Sequence, residues 1–119
     1  MKKKLMLMLL VFAMASGTWN RAAHAQGSPR QIEVTAKRFA YAPGEITLKK
    51  GEPVVLLIKS ADVAHGLRFR ELNLDAKIDK GGTARLSFTP DKTGDFVGHC
   101  SVFCGSGHGE MTLMLHVVE

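Results

Sequence analysis

From Ile32 to Val118 the apolar residues never settle into the three-to-four spacing of a helix; they alternate. Ile32, Val34 and Ala36 occupy every second position, as do Ile46 and Leu48, and again Ala84, Leu86 and Phe88. A period of two puts one row of side chains on the buried face of a strand and the other in solvent. Val54 to Ile58 is instead a continuous β-branched and aliphatic run, the mark of a central strand in a packed sheet. Turn signals separate these segments: Ala42-Pro43-Gly44, Lys49 to Glu52, Lys80-Gly81-Gly82, and Pro90 to Gly94. A short segment runs from His65 to Phe69, whereas Leu72, Leu74 and Ile78 are too loosely spaced to assign. Phe96 and Val97 lead into a glycine-rich loop, and Met111 to Val118 forms the last strand. Seven or eight short strands with turns about every 8 to 12 residues predict an all-β fold, a Greek-key β-sandwich of two sheets.

The first 25 residues read differently. Met1 to Lys4 is basic, Leu5 to Ala15 is almost wholly apolar, and Ala23-His24-Ala25 supplies the small residues of a cleavage site. This is the layout of a secretory signal peptide, with cleavage expected between Ala25 and Gln26 and one domain over 26–119. The alternative is a retained segment that leaves the protein membrane-associated, but the apolar run is shorter than the roughly 20 residues a span needs. No transmembrane span is expected after cleavage. The protein is therefore expected to be periplasmic or otherwise exported. The chain's formal charge of +5 is mostly carried by Lys2, Lys3, Lys4 and Arg21. Without them 12 basic side chains face 11 acidic ones, so nothing favours a nucleic-acid partner.

The two cysteines of the chain lie in the stretch HCSVFCGSGHGEM, from His99 to Met111. In an oxidising compartment a pair of cysteines usually forms a disulfide. Here it would close a loop so small that it adds little stability, which favours a binding role. Cys100, Cys104, His108 and Met111 follow the spacing C-x3-C-x3-H-x2-M. Thiolate, imidazole and thioether form a soft donor set of the kind that selects copper. Two thiolates separated by three residues can both bridge a metal pair, and a second metal wants a second imidazole. His65, at a strand end and followed by Gly66, offers it. Gly105, Gly107 and Gly109 allow the tight turns such a loop requires. A tetrahedral zinc site on Cys100, Cys104, His65 and His108 is the competing use, and it leaves Met111 without a role.

GHCSVFCGSGHGEM resembles the dinuclear copper A loop of cytochrome oxidase subunit II and nitrous oxide reductase, and SADVAHGLRF is similar to the segment carrying their upstream histidine. Those families are cupredoxin sandwiches. The resemblance implies a copper cofactor of two ions per chain, with Cys100 and Cys104 bridging them. His65 and His108 would take one copper each, Met111 would be a weak ligand, and the backbone carbonyl of Val102 the other. It also implies an electron carrier that is no enzyme by itself, or the electron-accepting subunit of a terminal oxidase. A cytochrome c or a terminal oxidase would be its redox partner. The alternative is a copper delivery or storage protein for oxidase assembly. Three departures stand out. Val102 replaces a glutamate that helps hold magnesium, only Phe39 and Tyr41 occupy the place of a tryptophan-rich patch, and paired transmembrane helices are missing. These point to a free-standing exported cupredoxin. Among the remaining residues, Asp62 is expected either to hydrogen-bond near His65 or to serve only the turn, His99 to be exposed or to support the site from beside it, and His116 to lie on the surface. Val102, with Phe103 and Phe96, is expected to keep water from the centre.

Overall fold

A computed structural model describes residues 28–119, so the expected signal peptide lies outside the described residues. The first strand, β1 (Arg30–Lys37), buries Val34 and Ala36 and turns its polar positions outward. The chain reverses at once into β2 (Ala40–Ala42), which lies antiparallel to it with Thr35 opposite Ala42. β3 (Glu45–Lys49) follows, then β4 (Val54–Ser60) and β5 (His65–Phe69). A single 3-10 turn, Arg70–Leu72, leads to β6 (Leu74–Ile78). β7 (Thr83–Phe88), β8 (Gly94–His99) and β9 (Thr112–Val118) complete the chain.

These strands form two sheets, ordered β2-β1-β4-β7 and β3-β9-β8-β5-β6. β4 sits between β1, to which it is parallel, and β7, to which it is antiparallel. This explains its unbroken apolar run: Val54, Val55, Leu56 and Ile58 are all buried. Leu48, Leu56, Ile58, Leu67, Phe69, Ile78, Leu113 and Leu115 fill the space between the sheets. Each fully buried aliphatic side chain contributes about 1.5–3 kcal/mol relative to exposure.

The all-β sandwich agrees with the sequence reading, but the described residues form nine strands rather than seven or eight. β2 is three residues long, too short to show a period, and is held by its pairing with β1. β6 has only Ile78 fully buried, so its apolar signal is weak; its register comes from β5, with His65 opposite Ile78. Among the described residues no helix is long and apolar enough to cross a membrane.

Strand direction sets where the loops meet. β5 and β8 are antiparallel, and so are β8 and β9. The start of β5, the end of β8 and the start of β9 therefore lie at one end of the second sheet. His65 opens β5, Cys100 directly follows β8, and Met111 directly precedes β9. Residues 46 positions apart along the chain are thus delivered to one place by pairing alone.

Candidate metal centre

The two thiols stand at the middle of the site, with Cys100 Sγ 3.7 Å from Cys104 Sγ. That is well beyond the 2.05 Å or so of a disulfide bond, and both cysteines are free. Around them the donors pair off. Cys100 Sγ lies 4.0 Å from His65 Nδ1 and 3.1 Å from the Val102 carbonyl. Cys104 Sγ lies 3.7 Å from His108 Nδ1 and 3.9 Å from Met111 Sδ. Each sulfur therefore has one imidazole nitrogen and one weak donor beside it. The structure brings all six sequence-predicted residues together. Donor atoms of His65, Cys100 and Cys104 lie within 4.8 Å of one another, a grouping able to hold a metal ion. A metal–thiolate bond of about 2.3 Å to each sulfur spans the 3.7 Å gap, so this donor set fits a shared soft metal.

Burial raises the cost of charging the Cys104 thiol. It is the main cause, followed by the neighbouring Cys100 sulfur, that pushes the Cys104 thiol up to about 11. Metal-free, that thiol keeps its proton at neutral pH; binding must displace it.

His65 is held by its other nitrogen. Its Nε2–H donates to Asp62 Oδ1 at 2.7 Å, which selects the tautomer whose Nδ1 lone pair faces Cys100. Asp62 is itself fixed: the Arg38 N–H donates to its Oδ2 at 2.8 Å and the Val63 N–H to its Oδ1 at 2.6 Å. Desolvation, the largest single influence, raises the Asp62 pKa. Hydrogen bonds from Arg38, His65 and Val63 together outweigh it and lower the pKa to about 2. The expected bond near His65 is present.

Two residues at the site were not expected to support it. Arg38, in the β1–β2 turn, donates through Nε to the Cys104 carbonyl at 3.0 Å, strapping the loop to the sandwich body. Tyr41, on β2, is buried and its hydroxyl donates to the Gly66 carbonyl. Burial, with the nearby cysteines, pushes its ionisation far above the ordinary tyrosine range. Neither residue belongs to a spacing motif; both reach the site because β2 folds back on β1.

Close approach explains two glycines. A Cβ on Gly66 would lie 3.0 Å from the backbone nitrogens of Ser101 and Val102, and one on Gly107 would lie 2.6 Å from the Phe39 ring. Phe39 thus packs under the loop.

The sequence matches the Cupredoxin-like domain model over residues 5–113. The chain belongs to this family. As a cupredoxin, it is 31% identical over 99 residues to cytochrome c oxidase subunit 2 of Thermus thermophilus, covering 80% of this chain and 73% of that one. It is 32% identical over 84 residues to nitrous-oxide reductase of Cupriavidus necator, covering 67% of this chain but only 13% of the reductase. The periplasmic domain of subunit II of cytochrome oxidase from Bradyrhizobium japonicum shares the fold. Its TM-score is 0.69 at 22% identity, covering 76% of this chain and 84% of that one.

One expectation about this cupredoxin's loop is corrected. Phe103 does not shield the centre: it is 78% exposed, its ring tilted against His108 with centroids 5.6 Å apart. Phe96 is buried, but it sits four residues before Cys100, roughly 13 Å back along β8 at about 3.3 Å per residue. Phe39 packs against the loop's glycines instead, and Tyr41 is buried beside Cys100. His99 is exposed at the rim, and His116 is half-buried on the outer face, 2.6 Å from Asp95.

Proposed function

We propose that this cupredoxin is an exported electron-transfer protein with a dinuclear copper A centre. In this reading Cys100 and Cys104 would be shared between two copper ions, His65 and His108 would supply one imidazole to each, and Met111 and the Val102 carbonyl would complete the set. Copper bound there would supply a one-electron couple. The observation that carries the reading is the paired arrangement of donors, an imidazole and a weak donor beside each of two sulfurs 3.7 Å apart. A zinc site of two cysteines and two histidines leaves the Met111 thioether unexplained, fully buried against a sulfur.

The chain's own residues hold this site still. Asp62 fixes the His65 ring, Arg38 fixes the Cys104 carbonyl, and Phe39 packs beneath the glycines. A fixed donor set keeps geometry nearly constant between oxidation states, which favours rapid electron transfer. The burial of His65, Cys100, Cys104 and Met111 also favours a carrier over a copper delivery protein, which must surrender its metal to a partner's ligands. We place the protein in the periplasm, exchanging electrons with a cytochrome c or a terminal oxidase and performing no catalysis by itself.

The test is metal content and paramagnetic resonance of protein matured in the periplasm. Two coppers per chain are expected, with hyperfine structure from two equivalent nuclei. Cys100→Ser or Cys104→Ser should lose the pair, whereas Met111→Leu should keep both coppers and shift the potential, because a weak axial ligand tunes a site more than it builds it. One copper with a blue-type spectrum, or one zinc, would overturn the proposal.

A further inference from the structure

Of the donor side chains, only His108 is partly open to solvent. It opens into a groove of about 480 Å³ whose other walls are Arg68, Arg70, His99, Cys100 and Ser101. Arg68 and Arg70 also line the adjoining groove beside Asp75, so both arginines are shared by the two grooves. Arg68 points outward from β5 and Arg70 opens the 3-10 turn; both are exposed. Among the described residues neither makes an ion pair, since every ion pair found there belongs to a histidine. Asp75, opposite Arg68 in register, accepts a hydrogen bond from the Ser101 hydroxyl at 3.1 Å.

From residue 26 onward the chain has only one more basic than acidic side chain. Two unpaired arginines beside the mouth of the site are therefore a directed field and not a symptom of general basicity. Guanidinium groups match carboxylates in a two-pronged geometry. The exposed, polar walls would leave most of a small ligand in water, whereas small-molecule sites bury the greater part of theirs. A protein surface fits better. Phe103 at the rim adds an exposed aromatic of the kind enriched at interface anchors.

We propose that the face formed by Arg68, Arg70 and His99 is the docking surface for an acidic redox protein, whose carboxylates meet the arginines while its redox centre approaches His108. The identity of the partner as a redox protein rests on the electron-transfer reading; the position of the anion-binding face does not. Charge pairing of this kind raises the association rate more than the lifetime of the complex, which suits a partner that must leave after each electron.

Two experiments on the full chain separate these points. In the first, the reduced protein is oxidised by hexacyanoferrate(III), an anion, and by tris(phenanthroline)cobalt(III), a cation; each takes one electron. The Arg68→Glu/Arg70→Glu variant should react at least about tenfold more slowly with the anion at low ionic strength and faster with the cation. The difference should fade near 1 M salt, where the Debye length is about 3 Å. Arg68→Gln/Arg70→Gln should give a smaller change of the same sign, and Lys49→Glu, at the far end of β3, none. Equal slowing with both reagents would overturn the proposal. In the second, hexacyanochromate(III) is titrated into isotope-labelled protein under ascorbate, where any bound copper is diamagnetic. Line broadening centred on the amides of Arg68, Arg70, His99 and Ser101 is expected, whether or not the copper reading holds. Broadening centred on Lys49 and Lys50, or spread evenly, would overturn the docking face. Arginine-dependent binding to phosphatidylglycerol vesicles would overturn the protein partner in favour of a lipid surface.

Discussion

Asp62 shows how much one side chain outside the donor set decides. Its carboxylate accepts from His65 Nε2 and from the N–H groups of Arg38 and Val63, so it sets a ring tautomer and joins the β1–β2 turn to the β4–β5 loop. Asp62→Ala removes the acceptor from all three donors. Copper affinity should fall about 10- to 100-fold, the usual cost of losing such a partner. Stability should drop by about 1–3 kcal/mol through the unsatisfied N–H groups. Asp62→Asn, which keeps one acceptor oxygen, should fall between. Chelator competition and urea unfolding measure the two effects separately. A stability loss with copper affinity unchanged would mean that Asp62 only ties the loops together.

At the level of elements, two glycines on neighbouring strands face different things and should fail differently. Gly98, on β8, lies under the core: an added Cβ would sit 2.6 Å from the Phe69 ring and 2.8 Å from a Leu67 methyl. Both neighbours are fully buried and cannot move outward. Gly98→Ala should therefore cost about 1–3 kcal/mol by overpacking. For a domain of this size that lowers Tm by about 4–8 °C per kcal/mol, with copper stoichiometry kept. Gly66, on β5, faces the backbone of Ser101 and Val102. There the loop gives way before the core does, so Gly66→Ala should reduce copper uptake with a smaller change in Tm. Calorimetry beside metal analysis distinguishes them; matching losses in both variants would refute the division between core and loop.

Across the whole molecule the outer face of the second sheet carries a charge link between three strands. His116 on β9 lies 2.6 Å from Asp95 on β8 and 3.8 Å from Glu45 on β3. The hydrogen bond to Asp95 is the main reason its pKa is raised. The folded protein thus holds this proton more tightly than the unfolded chain, whose histidine titrates near about 6.5. Its stabilising contribution is complete below that pH and is lost as pH rises through the higher folded value. Melting of wild type and His116→Gln at pH 6 and pH 8 should show a gap that narrows at the higher pH. A constant gap would assign the effect to packing.

The alternating positions of β1, β3 and β7 and the apolar run of β4 were legible in the sequence, because a strand with one buried face writes its period directly into the residue order. So was the donor set in the loop, since Cys100, Cys104, His108 and Met111 are close along the chain and chemically distinctive. His65 was legible by its chemistry and its place at a strand end. Its distance from Cys100 was not, because that depends on β5 and β8 running in opposite directions. β2 and the roles of Arg38 and Tyr41 at the site were hidden for the same reason: a three-residue strand has no period, and its worth lies in what it pairs with. Phe103 and Phe96 misled because hydrophobicity says that a ring avoids water only on average; the loop's path put one ring outside and the other deep along β8. Local order fixes which residues can form strands and which can bind a metal. Only the closing of two sheets, by long-range pairing that no short window contains, decides which of them meet.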